Sequence, residues 1–140
     1  MNGLVHTFVL GVIALVALLD GVVGVRLLTS PEPWLVNGAG TLWARDAPAL
    51  WSGASASLIR SLYRRLGAFS VHTAAVTAVW AWLGRDDSRA ITTLFVVYTA
   101  TGLAFAANDR EYFRGTRYFA FKQVIGGLWA LAFLAHLFAR

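Results

Sequence analysis

Apolar side chains dominate residues 4–28, 66–83, 90–107 and 118–138, and arginine-bearing polar stretches separate these four runs. An α-helix rises about 1.5 Å per residue, so even an 18-residue run reaches about 27 Å, close to the roughly 30 Å hydrocarbon core of a bilayer. The pattern predicts an all-α protein: a four-transmembrane-helix antiparallel bundle forming one integral-membrane domain over residues 1–140.

The polar stretches differ in kind. Residues 29–65 are too many for a tight turn and contain all three prolines together with Trp34, Trp43 and Trp51. Tryptophan favours the headgroup level, so these three are predicted interfacial anchors. Behind the start signal Asp46-Ala47-Pro48, the residues Leu50, Trp51, Ala54, Leu58, Leu62 and Leu66 recur at helical spacing. They predict an interfacial amphipathic helix that leads into the second span. Its role is anchoring or, alternatively, that of a lid or docking surface. The first apolar run is predicted to be a retained helix: Ala14-Leu15-Val16-Ala17 offers small residues, but Met1-Asn2-Gly3 supplies no basic leader region.

Composition sharpens this picture. At 58 % hydrophobic residues the chain exceeds the roughly 45–50 % usual in soluble domains. The absence of cysteine excludes disulfides, thiol catalysis and Cys-ligated metal centres. A net charge of +5 would suit nucleic acid on a soluble domain, but here the arginines sit at span ends, and nucleic acid is not an expected partner. Arg26, Arg45, Arg60, Arg64 and Arg65 flank one connection and Arg110, Arg114, Arg117 and Lys122 another. Only Arg85, Arg89 and Arg140 fall on the opposite side. Translocating Lys or Arg opposes insertion, so the richer side is predicted to be cytoplasmic and both termini outside. Compactness, an Ala/Arg-rich composition and the lack of organellar targeting signals place the protein in a bacterial cytoplasmic (inner) membrane.

Lipid tails are as apolar as leucine, so helix association in a bilayer relies on close approach through small residues. Candidate stripes are Ala14, Ala17, Gly21 and Gly24 in the first span and an alanine-rich second span with Ala68, Ala74, Ala75, Ala78 and Ala81. The third span offers Thr92, Thr99, Gly102, Ala106 and Asp109, and the fourth Gln123, Gly127 and Ala130. No internal repeat of the transporter kind is visible.

Asp20 is the costliest residue, because a central charge costs roughly 2.5–3.5 kcal/mol on insertion scales. The predicted topology brings Arg65, His72, Asn108, Asp109, Lys122 and Gln123 to similar depth, giving a candidate buried polar cluster. Two readings stay open: a binding or proton-handling site, or an ion pair of Asp20 with Lys122 or an arginine that fixes helix register. His6 and His136 could approach each other near the outer ends of the first and fourth spans and are the candidates for a metal or haem pair, the alternative being that each simply reaches water or a headgroup, whereas His72 lies toward the other side. The threonines of the third span could line a polar path, or simply bond to carbonyls one turn back. The connection Asn108–Arg117, with alternating charge and aromatics, suits lipid phosphate or a partner's acidic loop, or is a solvated turn. No HExxH, GxSxG or Walker pattern marks a catalytic residue.

The segments Asp20-Gly-Val-Val-Gly24, Pro31-Glu-Pro33 and Leu58-Ile-Arg-Ser-Leu-Tyr-Arg-Arg-Leu-Gly67, with the number of spans and the loop proportions, resemble the DoxX-like superfamily of small four-span bacterial membrane proteins. That resemblance implies a four-helix membrane fold; some members of the family are associated with quinone-linked oxidation, and their N-terminus is usually cytoplasmic, unlike the one predicted here. It transfers no functional residue. The expectation from the residues is a non-enzymatic integral-membrane subunit or accessory protein that packs against a larger membrane complex or a second copy. The alternatives are a membrane enzyme or binding protein taking a lipid, quinone or other hydrophobic ligand near Asp20, or a transporter or channel component. Membrane lipids are expected partners, and a bound lipid or quinone is the candidate cofactor.

Overall fold

A computed structural model describes residues 3–29, 56–113 and 117–139, with side chains except at 105, 107–109 and 111–118. The described residues form four α-helices and no strand: α1 (Gly3–Thr29), α2 (Ala56–Leu83), α3 (Ser88–Phe113) and α4 (Arg117–Phe138). Among them, α1, α2 and the Phe119–Phe138 part of α4 are long and apolar enough to cross a membrane. Many large apolar side chains point outward; Leu18, Phe69, Leu103 and Val124 are each more than half exposed. A protein in water would bury such surface, whereas lipid accepts it. The chain is a helical membrane protein.

The predicted interfacial stretch and second span meet without a break, because α2 is continuous over 28 residues. No proline or glycine lies between Ala56 and Leu66, so nothing in the sequence ends the helix at 65. The proposed helix start at 46–55 and the anchors Trp34, Trp43 and Trp51 lie outside the described residues.

Helix α1 is the hub, with its broadest contact on α2 and a smaller one on α4. The α1–α2 crossing is set by two glycines. A Cβ built on Gly24 would sit 2.8 Å from the Gly67 carbonyl oxygen and the Val71 backbone nitrogen, and one on Gly67 would sit 2.7 Å from the Gly24 carbonyl oxygen. Only hydrogen fits between backbones this close, so both positions must be glycine. Gly21 continues the contact more loosely, its Cβ position lying 3.6 Å from the Ala74 methyl.

Toward the other end of α1, Val9, Val12, Ile13 and Val16 pack against Ile91, Leu94 and Phe95 of α3 and Trp129 and Ala132 of α4. Phe95 sits at the centre, its ring 4.6 Å from that of Trp129 and 5.1 Å from that of Phe133. This aromatic packing corrects the expected stripes. Gly102 of α3 and Gln123, Gly127 and Ala130 of α4 face outward, as does Ala14 of α1, while Ala17, Gly24 and Ala74 are buried as expected. Trp129 and Phe133 carry far more contact area than Gly127 and Ala130, so α4 turns its large residues toward Phe95 and its small ones away.

Helices α2 and α3 are joined by a tight turn. Gly84 N–H donates to the Trp80 carbonyl at 2.8 Å and Asp87 N–H to the Gly84 carbonyl at 2.9 Å. Asp87 then caps α3: its carboxylate accepts the Arg89 N–H at 2.8 Å, and its carbonyl accepts the Ile91 N–H at 3.1 Å. Arg85 lies over the Trp82 ring, 4.6 Å from its centroid, and 3.5 Å from Asp86, a basic and aromatic edge suited to the headgroup region.

Candidate functional site

Asp20 follows Val16 and Ala17 and precedes Gly24 on the packed face of α1, so the helix delivers its carboxylate inward, half-buried. Its partner is a phenol: the Tyr98 hydroxyl of α3 donates to Asp20 Oδ2. Lys122 of α4 is near enough to act electrostatically on the same carboxylate. A carboxylate held by an O–H donor and a nearby ammonium is a fastening between helices, since each group offsets part of the other's desolvation.

The other members of the expected cluster are spread out. His72 and Arg65 are exposed on α2 and Gln123 on α4, while Lys122 reaches Asp20 from an exposed position on α4. The side chains of Asn108 and Asp109 lie outside the described residues. Depth alone placed Arg65, His72 and Gln123 with Asp20; helix rotation turns these three outward, because a residue at the right depth on the wrong face points away from the neighbouring helices.

Tyr98 is the residue that sequence reasoning missed. It had a readable signal: Ile91, Leu94, Phe95 and Tyr98 follow i, i+3, i+4, i+7 spacing, which puts the phenol on the same face as the three residues that α3 buries. Below Phe95, Tyr98 stacks obliquely on Trp129, with centroids 4.6 Å apart, and the Trp129 indole N–H donates to Thr99 Oγ1 at 3.1 Å. This Asp20, Tyr98, Trp129 and Thr99 chain ties α1, α3 and α4 at mid-length.

A second polar link lies at the far end of α4. His136 is fully buried, its Nε2 lying 3.0 Å from Thr92 Oγ1 and 3.3 Å from the Ser88 carbonyl. The Thr92 hydroxyl donates to that same carbonyl at 2.7 Å, so its oxygen is left to accept, and His136 Nε2 carries the proton. One of the two nitrogens that could ligate a metal is thereby committed, and the Phe95 ring packs 5.9 Å from the imidazole. His6 is half-buried on α1. Among the described residues no group of three or more His, Asp or Glu is placed to hold a metal ion. Thr93 and Thr101 donate to the carbonyls of Arg89 and Val97 at 2.9 Å, bonding one turn back.

Two concavities lie along the outer side of α2. One, of about 520 Å³, is lined by Ser57, Arg60, Ser61, Arg64, Arg65 and Ala68. The other, of about 700 Å³, is apolar and runs from His72 past Val76, Val79 and Trp80 to Leu83.

Compared with protein families, curated proteins and solved structures, the chain matches none. Its functional reading therefore rests on its own residues.

Proposed function

We propose that this chain is a non-enzymatic subunit or accessory protein of the bacterial inner membrane, a four-span antiparallel bundle whose outer faces pack against a larger membrane protein assembly. The antiparallel reading is supported by the α1–α2 contacts, since Gly24 meets Gly67 and Gly21, earlier in the chain, meets Ala74, later in it. The observation that carries the function is the outward face of α4. Built Cβ atoms on Gly126 and Gly127 meet nothing within 4 Å, and Gln123 and Ala130 are exposed beside them. Small residues with a flanking amide are what a neighbouring transmembrane helix approaches closely, and none of the described helices packs on Gly126 or Gly127. Among the described residues, inner polar groups make fastening contacts instead: Asp20 with Tyr98, Trp129 with Thr99 and His136 Nε2 with Thr92.

Purification of the chain in mild detergent from its native membrane is expected to recover a stoichiometric protein partner, and G126L/G127L is expected to lose that partner while the isolated chain keeps its helicity and thermal midpoint. Recovery of the wild-type chain only as a stable monomer would overturn the proposal, and recovery as a homodimer sensitive to the same variant would name a second copy as the partner.

A further inference from the structure

The two concavities of α2 lie on one face of one helix. Ser61, Arg65, Ala68, His72, Val76, Val79 and Leu83 succeed one another at spacings of three or four residues, the register that stacks side chains along a helix. The face is basic at its N-terminal end and apolar beyond. From Ala68 to Val79 it extends about 16 Å at 1.5 Å per residue, about half the hydrocarbon thickness and so the depth of one leaflet.

We propose that this face is a binding site for an anionic phospholipid of the surrounding membrane, the phosphate held by Arg60, Arg64 and Arg65 and one acyl chain lying along Val76 and Val79. The guanidinium forks offer paired donors that match phosphate oxygens, and the Ser57 and Ser61 hydroxyls add donors beside them. An arginine at a span end extends its charged head to the headgroup level while its stem covers apolar surface. Free phosphate or an acidic peptide would use the basic end alone, whereas a phospholipid also fills the apolar groove that continues it. The site is independent of the α4 face and of any partner docked there.

The test is native mass spectrometry of the purified chain in detergent, titrated with phosphatidylglycerol and with phosphatidylcholine of the same acyl chains. The wild type is expected to prefer phosphatidylglycerol. R60Q/R64Q/R65Q is expected to lose affinity for it roughly a hundredfold, as removing three basic residues from an anionic headgroup implies, and R85Q/R89Q, in the α2–α3 turn and at the start of α3, to keep it. The chain has no cysteine, so A75C carries a single fluorophore inside the groove without touching the arginines. Phosphatidylglycerol brominated on its acyl chains should quench that fluorophore more strongly than brominated phosphatidylcholine. Equal binding of the two lipids, equal quenching, or unchanged affinity in a folded arginine variant would each overturn the site. Full displacement of phosphatidylglycerol by millimolar inorganic phosphate would reassign it to a free anion. Loss of a co-purified protein in the arginine variant, with lipid binding intact, would reassign it to an acidic protein segment.

Discussion

Asp20 is tolerable in an apolar helix because its carboxylate has a fixed donor in Tyr98 and a cation in reach at Lys122. Removing one partner leaves the other polar and half-desolvated, whereas removing both leaves an apolar contact, so the two side chains should be strongly non-additive. Tyr98→Phe and Asp20→Leu are each expected to destabilise the bundle by about 1–3 kcal/mol, and the double variant by less than their sum, with a coupling of about 1 kcal/mol. Unfolding in mixed micelles titrated with sodium dodecyl sulfate measures all three. Strict additivity would remove the fastening role. Asp20→Asn keeps an acceptor for the Tyr98 hydroxyl and should fold, so an activity lost with assembly intact in that variant would instead point to chemistry at Asp20. Asp20 was legible as exceptional from its charge in an apolar run. Its partner was not, because Tyr98 lies 78 residues away and only the rotation of α3 brings it there.

At the scale of elements, α1 and α2 are held by a backbone-to-backbone crossing, and α1, α3 and α4 by a cluster of large side chains around Phe95. These modes respond oppositely to added bulk. Gly24→Val or Gly67→Val must force the crossing apart and is expected to cost about 1–3 kcal/mol or more, since atoms under 3 Å have nowhere to go. Gly102→Val adds bulk at an outward position with nothing within 4 Å and should leave the isolated bundle's thermal midpoint nearly unchanged. A thermal scan of the three variants in one detergent checks the contrast. Helix existence was readable from the apolar runs, and the first, third and fourth predicted spans lie within one or two residues of the start of α1, α3 and α4. Facing was less readable. The stripe rule found Ala17 and Gly24 on α1, where glycine meets glycine, but placed Gly127 and Ala130 inward on α4, where Trp129 and Phe133 hold the inner face.

For the whole molecule, the distribution of arginines is the determinant of orientation, and it can be read out directly in a chain without cysteine. Single cysteines at Asp86, in the turn between α2 and α3, and at Ser57, at the start of α2, should label from opposite sides of the membrane in intact cells. With both termini outside, an impermeant maleimide reaches D86C and reaches S57C only after permeabilisation. The reverse result would place the basic concavity of α2 in the outer leaflet and invert the predicted topology.

The sequence by itself determined that this is a helical membrane protein and where α1, α3 and α4 begin, because hydrophobic length and turn residues act locally and need no partner to be read; it did not show that α3 runs on to Phe113, into the expected Asn108–Arg117 connection. It also singled out Asp20 as costly and the arginine-bearing edges as polar boundaries. Tertiary structure alone decided which side of each helix looks inward. That choice depends on the combined fit of side chains from segments distant in the chain: glycine against glycine at the α1–α2 crossing, phenol against carboxylate at Asp20, and aromatic rings around Phe95. The same choice kept Lys122 near Asp20 but turned Arg65 and His72 onto the outer face of α2, where the proposed lipid site lies.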